Sequence, residues 1–194
     1  MKNILLAVTV GILSATTIKA DPVTYAFSGT GSGSVGGIGF SNAIFSIRVF
    51  ADTSDVYVNP LDSAVLDVDD IFSQFDIAGI GVGMFTSNER VFVDHSVSGL
   101  GFQRGAEPGL DLLDIQNDVF ATYDLVSSLG PSFDPSPEAV FQFHNEPSTL
   151  GPITFVSARD ITFTADVVPE PSTTSFLICV AAIGVVLCLR RKRA

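Results

Sequence analysis

The densest group of residues that could do chemistry is the acidic stretch Asp67-Val68-Asp69-Asp70. Carboxylates at alternate positions can share a hard cation such as Ca²⁺ through their oxygen atoms. The spacing of an EF-hand loop is absent, because no glycine stands at the sixth position and no glutamate at the twelfth. The stretch therefore predicts a solvated loop or a helix start. If calcium binds, Asp67, Asp69 and Asp70 are the candidate ligands, with Asp62 in support, and no other cofactor is expected.

The residues that could serve a hydrolase are Asp94-His95-Ser96 and His144. Adjacent residues in a strand point to opposite faces, so this tripeptide cannot itself form a catalytic triad. The chain has no Gly-x-Ser-x-Gly nucleophile elbow, and two histidines so far apart make a poor zinc site. We therefore expect both histidines at surface or strand-edge positions, and a protein that is not an enzyme.

Two further patterns could indicate ligands. The spaced glycines of residues 31–36 resemble a dinucleotide fingerprint, but a strand follows instead of a helix, which favours a hairpin loop. Carbohydrate sites usually present exposed flat aromatic rings. The chain has no tryptophan, and its tyrosines are Tyr25, Tyr57 and Tyr123. A sugar site is therefore an alternative with few candidate residues.

The C-terminal residues 169–194 combine three parts in a fixed order. Pro169-Glu170-Pro171 comes first, an uncharged apolar segment over about residues 174–189 follows, and a basic cluster ends it. The prolines fix φ and lack N–H donors, which keeps the first part extended. The apolar segment predicts a short transmembrane helix. The basic residues orient it with the preceding domain outside the cytoplasm; they are Arg190, Arg191, Lys192 and Arg193.

This order of parts, over about residues 168–194, resembles the PEP-CTERM sorting signal of bacterial exosortase systems. The resemblance implies that a membrane-embedded exosortase recognises Pro169, Glu170 and Pro171 and cuts near them. These three would be substrate residues, not catalysts. The resemblance also implies a link to the cell envelope and to exopolysaccharide, so the membrane anchor would be transient and the protein would end at the cell surface or in the extracellular matrix.

The N-terminal residues 1–20 are typical of a secretory signal peptide. Lys2 supplies the positive end and Ile4–Leu13 the apolar segment, with cleavage expected between Ala20 and Asp21. The secretion machinery would then be a partner. Residues 21–168 remain as the extracytoplasmic domain, which is the length of one ordinary domain.

The charge of residues 21–168 argues against two classes of partner. This region contains four arginines and 20 carboxylates, which gives a formal charge of −16. A field of this sign repels nucleic acid and anionic lipid. Both cysteines, Cys179 and Cys188, lie in the apolar tail. The outer domain therefore depends on its core rather than on disulfides.

Hydrophobic periodicity predicts an all-β domain. In Ala43–Phe50 and Ile161–Val167 apolar and polar residues alternate, and turn residues separate many such short segments. We therefore predict an antiparallel β-sandwich, jelly-roll-like, of roughly eight to ten strands. Single helical turns are expected at Asp67–Phe75 and Leu110–Asn117. The other strand candidates are Val23–Phe27, Ala64–Asp67, Phe75–Ile80, Arg90–Asp94, Val119–Leu125 and Ala139–His144.

Three functions remain open from the sequence. The first is an exported, non-enzymatic envelope or extracellular matrix protein, sorted by an exosortase and linked to the cell surface or to extracellular polysaccharide. The second is a calcium- or carbohydrate-binding surface module. The third is a secreted hydrolase, which would need His95 or His144 in a cleft beside a carboxylate and a hydroxyl.

Overall fold

The computed structural model of the protein describes residues 20–105, 111–134 and 145–169. Asp21–Val168 forms a compact unit of its own. The predicted strand Ala139–His144, most of the signal peptide, and the predicted transmembrane helix with its basic cluster lie outside the described residues. Within the described ranges, no helix is long and apolar enough to cross a membrane.

The described residues are almost entirely β-strand, because apolar and polar side chains alternate along the chain. Two short 3₁₀ turns, Thr53–Asp55 and Asp118–Thr122, are the helical elements in these ranges. The strands are β1 (Pro22–Val35), β2 (Ile38–Asp52), β3 (Tyr57–Val58), β4 (Val65–Asp69), β5 (Phe72–Ile77), β6 (Gly81–Met84), β7 (Glu89–Asp94), β8 (Gly99–Arg104), β9 (Asp111–Gln116), β10 (Leu129–Phe133) and β11 (Ile153–Val167).

The strands form two antiparallel sheets, which confirms the all-β prediction. The six-stranded sheet has the order β10-β11-β1-β2-β5-β6, and the five-stranded sheet has the order β3-β4-β7-β8-β9. The jelly-roll detail differs from the prediction. The five-stranded sheet runs in chain order like a meander, rather than in the Greek-key order on which a jelly roll is built. Short connections favour the pairing of β3 with β4 and of β7, β8 and β9 in succession, whereas β5 and β6, between β4 and β7 in the chain, belong to the other sheet.

The core lies between the two sheets and is rich in phenylalanine. Phe27 of β1 faces Phe102 of β8 across the core, with ring centroids 6.4 Å apart. Phe163 of β11 is central, because its ring contacts those of Tyr25, Phe27, Phe120 and Tyr123. The predicted inward face of β2, which is Phe45, Ile47 and Val49, is buried as expected.

Both predicted helical turns are wrong. Asp67–Phe75 is divided between β4 and β5, and Leu110–Asn117 mostly forms β9. The reason is burial at period two, because Val68 and Phe75, like Leu113 and Ile115, point into the core.

The strand predicted at Val119–Leu125 is also wrong. The side chain of Asn117 accepts a hydrogen bond from the Val119 N–H and caps a 3₁₀ turn there. The hairpin after β1 is present, but its turn is only Gly36-Gly37. Both glycines have positive φ, 56° and 83°, as a two-residue hairpin turn requires.

Candidate functional site

The described chain ends where the predicted sorting segment begins. β11 runs to Val167, and the Val168 N–H donates to the Pro22 carbonyl at 2.9 Å. Pro169 follows, is exposed, and lacks the N–H needed to extend the ladder. Glu170, Pro171 and the basic residues 190–193 lie outside the described residues. The predicted recognition segment therefore begins directly after the last strand of the body.

The two ends of the body lie side by side. β1 and β11 pair antiparallel, with Val23 opposite Val167. Asp21 is fixed at this end through its N–H, which donates to Thr53 Oγ1 at 3.1 Å, and through its carbonyl, which accepts the Thr53 N–H. The predicted signal cleavage site, after Ala20, therefore lies at the same end of the body as the start of the sorting segment.

The acidic stretch lies in a strand and in the turn after it, which corrects the expectation of a solvated loop or helix start. Asp67 and Asp69 belong to β4 and share its outer face, and Arg90 of β7 bridges them. Arg90 Nε lies 2.8 Å from Asp69 Oδ1, and its Nη1 lies 3.3 Å from Asp67 Oδ2. Asp70 points elsewhere and accepts the Glu89 N–H at 2.9 Å.

Asp70 therefore points away from the other two predicted calcium ligands, and Asp67 and Asp69 already face the cation of Arg90. Asp67 is completely buried, and burial raises its pKa despite the opposing charge of Arg90. Asp62 accepts the Ala64 N–H and belongs to the loop before β4. Within the described ranges, no group of three or more His, Cys, Asp or Glu side chains is placed to hold a metal ion.

A groove of about 430 Å³ lies on the outer face of the five-stranded sheet. Arg90 lies in it and contacts the ring of Tyr57, with the guanidinium carbon 5.4 Å from the ring centroid. This cation–π contact fixes both groups. We call this feature the outer-face groove; the lining residues that matter below are Tyr57, Asp62, Arg90, Phe92, Gln103 and Asp111.

Gly101 shapes the base of this surface. It lies opposite Phe92 in the β7–β8 pairing. A Cβ atom at position 101 would come within 2.5 Å of the Phe92 ring and would also clash with the Asp114 carboxylate. The absence of a side chain thus lets the half-buried ring of Phe92 lie across the sheet.

Gln103 is the least expected residue of the outer-face groove. It is only 8% exposed, and its amide makes no hydrogen bond to any residue that the structure describes. A largely buried side chain whose amide makes no bond to the protein is uncommon. Its position in the lining leaves the amide available to a bound molecule.

A second polar cluster is buried at one end of the sandwich. Glu89 and Glu146 are both inaccessible to solvent, and Arg104 Nε lies 2.9 Å from Glu146 Oε2. Glu89 Oε1 accepts the Ser87 hydroxyl at 2.5 Å, and its Oε2 has no hydrogen-bond partner among the described residues. Burial, opposed by the Ser87 hydrogen bond and assisted by the charge of Glu146, raises the pKa of Glu89 to about 8. Glu89 is therefore protonated at neutral pH.

Of the two histidines in the hydrolase hypothesis, the structure describes His95. His95 Nε2 lies 2.8 Å from the Tyr123 carbonyl oxygen. Ser96 instead directs its hydroxyl to Asp94, at 2.6 Å. His95 is therefore hydrogen-bonded to the backbone, while Asp94 and Ser96 are hydrogen-bonded to each other. His144 lies outside the described residues.

The sequence did not single out Arg90, Gln103, Glu89 or Glu146. Each is an ordinary polar residue near a strand, and its role depends on which strand pairs with it. One signal was available, because Arg90, Phe92 and Asp94 alternate with the apolar Val91 and Val93. That pattern places the three on an outer face, although it does not name their partners.

Comparison with known proteins bears on the C-terminal segment. Residues 167–192 match the model of the PEP-CTERM protein-sorting motif, which confirms the predicted motif. The motif implies export, recognition by an exosortase and exosortase-dependent sorting to the cell surface. The match covers a short segment and describes the sorting of the chain, not the role of its β body.

For the β body, the comparisons found a distant structural likeness. No curated protein matches the chain. Among solved structures, DynF from the dynemicin biosynthesis pathway of Micromonospora chersina is similar at 11% identity and a TM-score of 0.39, over 83% of this chain and 89% of that one. A likeness this distant indicates neither the fold nor the function of the chain.

Proposed function

We propose that the protein is a non-enzymatic component of the cell envelope or extracellular matrix. A signal peptide directs it through the secretion machinery, a C-terminal helix holds it briefly at the inner membrane, and an exosortase processes it at Pro169-Glu170-Pro171. The observation that carries the proposal is the PEP-CTERM motif at residues 167–192.

The geometry at the end of β11 supports processing without damage to the body. Among the described residues, the last backbone hydrogen bond at this end is made by Val168, one residue before Pro169. Cutting after that point removes no hydrogen bond of the described body. A rigid sandwich that ends directly at its processing segment fits a protein that is released or transferred intact.

The composition of the body supports a surface role. A formal charge of −16 over residues 21–168 favours solubility outside the cell and disfavours contact with nucleic acid or anionic lipid. Of the two histidines considered for hydrolysis, the one that the structure describes, His95, is hydrogen-bonded to the Tyr123 carbonyl. We therefore propose attachment to the cell surface or to extracellular polysaccharide rather than a reaction.

The experiment that tests this proposal is the mass of the mature protein, isolated separately from cells and from medium. Wild type is compared with Glu170→Ala and with a matched control, Asp166→Ala, which removes an exposed carboxylate four residues earlier. We expect wild type and the control to end near Pro169–Ser172. Glu170→Ala should stay uncut and membrane-bound.

Two results would count against the proposal. An intact C-terminus through Ala194 in wild-type protein would make the tail a permanent anchor. Normal processing of Glu170→Ala would mean that the central glutamate of the motif is not recognised. Either mass is read directly and does not depend on what the β body binds.

A further inference from the structure

The outer-face groove has the chemistry of a binding site for a polyhydroxylated molecule. Its volume of about 430 Å³ lies within the range of small-molecule pockets, ~300–1,000 Å³. It combines aromatic rings, an amide and carboxylates. A sugar needs this mixture, because its C–H groups pack against the electron-rich faces of rings and its hydroxyl groups need donors and acceptors.

The unpartnered amide of Gln103 is the strongest single indication. It offers two donors and one acceptor in the groove and uses none of them on the described protein. It belongs to β8, next to Arg90 in the β7–β8 pairing. A ligand that bonds to this amide would replace water on a side chain that is otherwise held by the protein, since the residue as a whole is only 8% exposed.

Electrostatics disfavour an anionic ligand. Asp67 and Asp69 already neutralise Arg90. Asp62 and Asp111 line the same groove, so an anion gains nothing from the arginine and is repelled by the carboxylates and by the −16 charge of the body. Carboxylates do accept hydrogen bonds from neutral hydroxyl groups.

The groove is also preorganised, which lowers the entropic cost of binding. Asn59 donates from Nδ2 to Asp67 Oδ2 at 2.7 Å and accepts the Leu61 N–H at 2.8 Å, so the loop after β3 is fixed. Arg90 fixes the ring of Tyr57. Gly101 allows Phe92 to lie across the sheet. Both rings are therefore held in place before a ligand arrives.

From these observations we propose that the outer-face groove binds an uncharged carbohydrate, with Gln103 as a hydrogen-bonding residue and Tyr57 and Phe92 as ring contacts. The inference goes beyond sorting and is independent of it, because a sorted protein need not bind sugar. It gives the β body a direct non-covalent way to hold a neutral polysaccharide.

The test is a titration of the full chain, kept in a zwitterionic detergent that contains no sugar. The neutral probes are maltotetraose, cellotetraose and mannotetraose. Tetragalacturonate serves as the anionic sugar, and spermine as a cation without hydroxyl groups. Calorimetry measures affinity, and amide chemical shifts locate the contact. We expect at least one neutral tetrasaccharide to bind saturably and to shift amides of β3, β7 and β8.

The diagnostic variant is Gln103→Leu, which removes the amide without breaking a hydrogen bond to the described protein. We expect about tenfold weaker binding, as for the loss of one or two buried hydrogen bonds. The matched control is Gln116→Leu, the same change at an exposed position of the same sheet, and it should bind like wild type. If the first variant fails to fold, Leu61→Ala replaces it, because Leu61 also lines the groove and is 80% exposed. This change should weaken binding of the neutral probe without unfolding the body.

Four outcomes would overturn the inference. One is that none of the neutral probes binds. Another is that tetragalacturonate or spermine binds while the neutral probes do not, which would mark a charged patch instead. The third is that shifts from a neutral probe map away from the groove. The fourth is that Gln103→Leu binds as tightly as wild type. The mass measurement of the mature C-terminus is unaffected by any of them.

Discussion

The buried carboxyl group of Glu89 makes the stability of the body depend on pH in an unusual direction. Its pKa is about 8 in the folded protein against an ordinary value of 4.5. Between these values the folded state holds a proton that the unfolded state has released. Stability is therefore complete below pH 4.5 and falls as the pH rises towards 8.

The magnitude follows from the same two values. The full shift corresponds to an upper limit of about 5 kcal/mol, since each pKa unit is worth ~1.4 kcal/mol. Between pH 6 and pH 8 the loss from Glu89 alone is about 3 kcal/mol at most. That is a large part of the total stability of a typical domain, which is ~5–15 kcal/mol.

The test uses Glu89→Gln, which keeps the shape of the side chain and cannot ionise. Urea unfolding followed by far-ultraviolet circular dichroism, at pH 6, 7, 8 and 9, gives the free energy of unfolding. We expect the wild-type value to fall steeply over this range and the variant to fall less, so that Glu89→Gln is the more stable protein at pH 9. Asp166→Asn, an exposed change, should follow the wild-type curve.

Parallel wild-type and Glu89→Gln curves between pH 6 and 9 would refute the reasoning. Such a result would mean that Glu89 is already ionised in the fold at pH 6. The comparison isolates this residue because Asp114, whose pKa is also raised by burial and by Asp111, is unchanged in both proteins.

Two further predictions concern the structure around the two candidate features. Arg90→Met should lower the free energy of unfolding at pH 7 by about 3 kcal/mol, because it leaves the buried Asp67 without its cation. The loss should shrink as the pH is lowered from 7 to 4, because burial raises the pKa of Asp67 and so favours its neutral form; urea midpoints at the two pH values measure it. Gly36→Ala should destabilise more than Gly37→Ala, which should cost about 1 kcal/mol. Both glycines have positive φ, but a Cβ atom at position 36 would clash with the Leu150 carbonyl, whereas position 37 is open. The melting temperatures of the two variants measure the difference in stability.

The sheet faces could be predicted from the sequence because burial alternates along single strands. Phe45, Ile47 and Val49 needed no knowledge of their neighbours to be placed in the core. The helical turns at Asp67–Phe75 and Leu110–Asn117 were wrong for a related reason. Polar residues there suggested solvated chain, whereas those side chains lie on outer faces of strands whose other faces are buried.

The candidate groove could not be predicted, because it depends on register between distant strands. Asp69 lies opposite Arg90, and Arg90 opposite Gln103. No local pattern connects residues 69, 90 and 103. The sequence marked the acidic stretch as a calcium candidate, since the arginine that bridges two of its carboxylates lies about 20 residues further along the chain.

The arrangement of the ends separates sorting from folding. The β1–β11 pairing holds Val23 beside Val167, and the last ladder bond of the body precedes Pro169. Changes in Pro169-Glu170-Pro171 should therefore alter the fate of the protein while leaving the described body unaffected. Conversely, Gln103→Leu and Glu89→Gln act far along the chain from the processing segment. A variant that loses sugar binding yet is still processed would show that binding by the body and sorting at the C-terminal segment are separate properties.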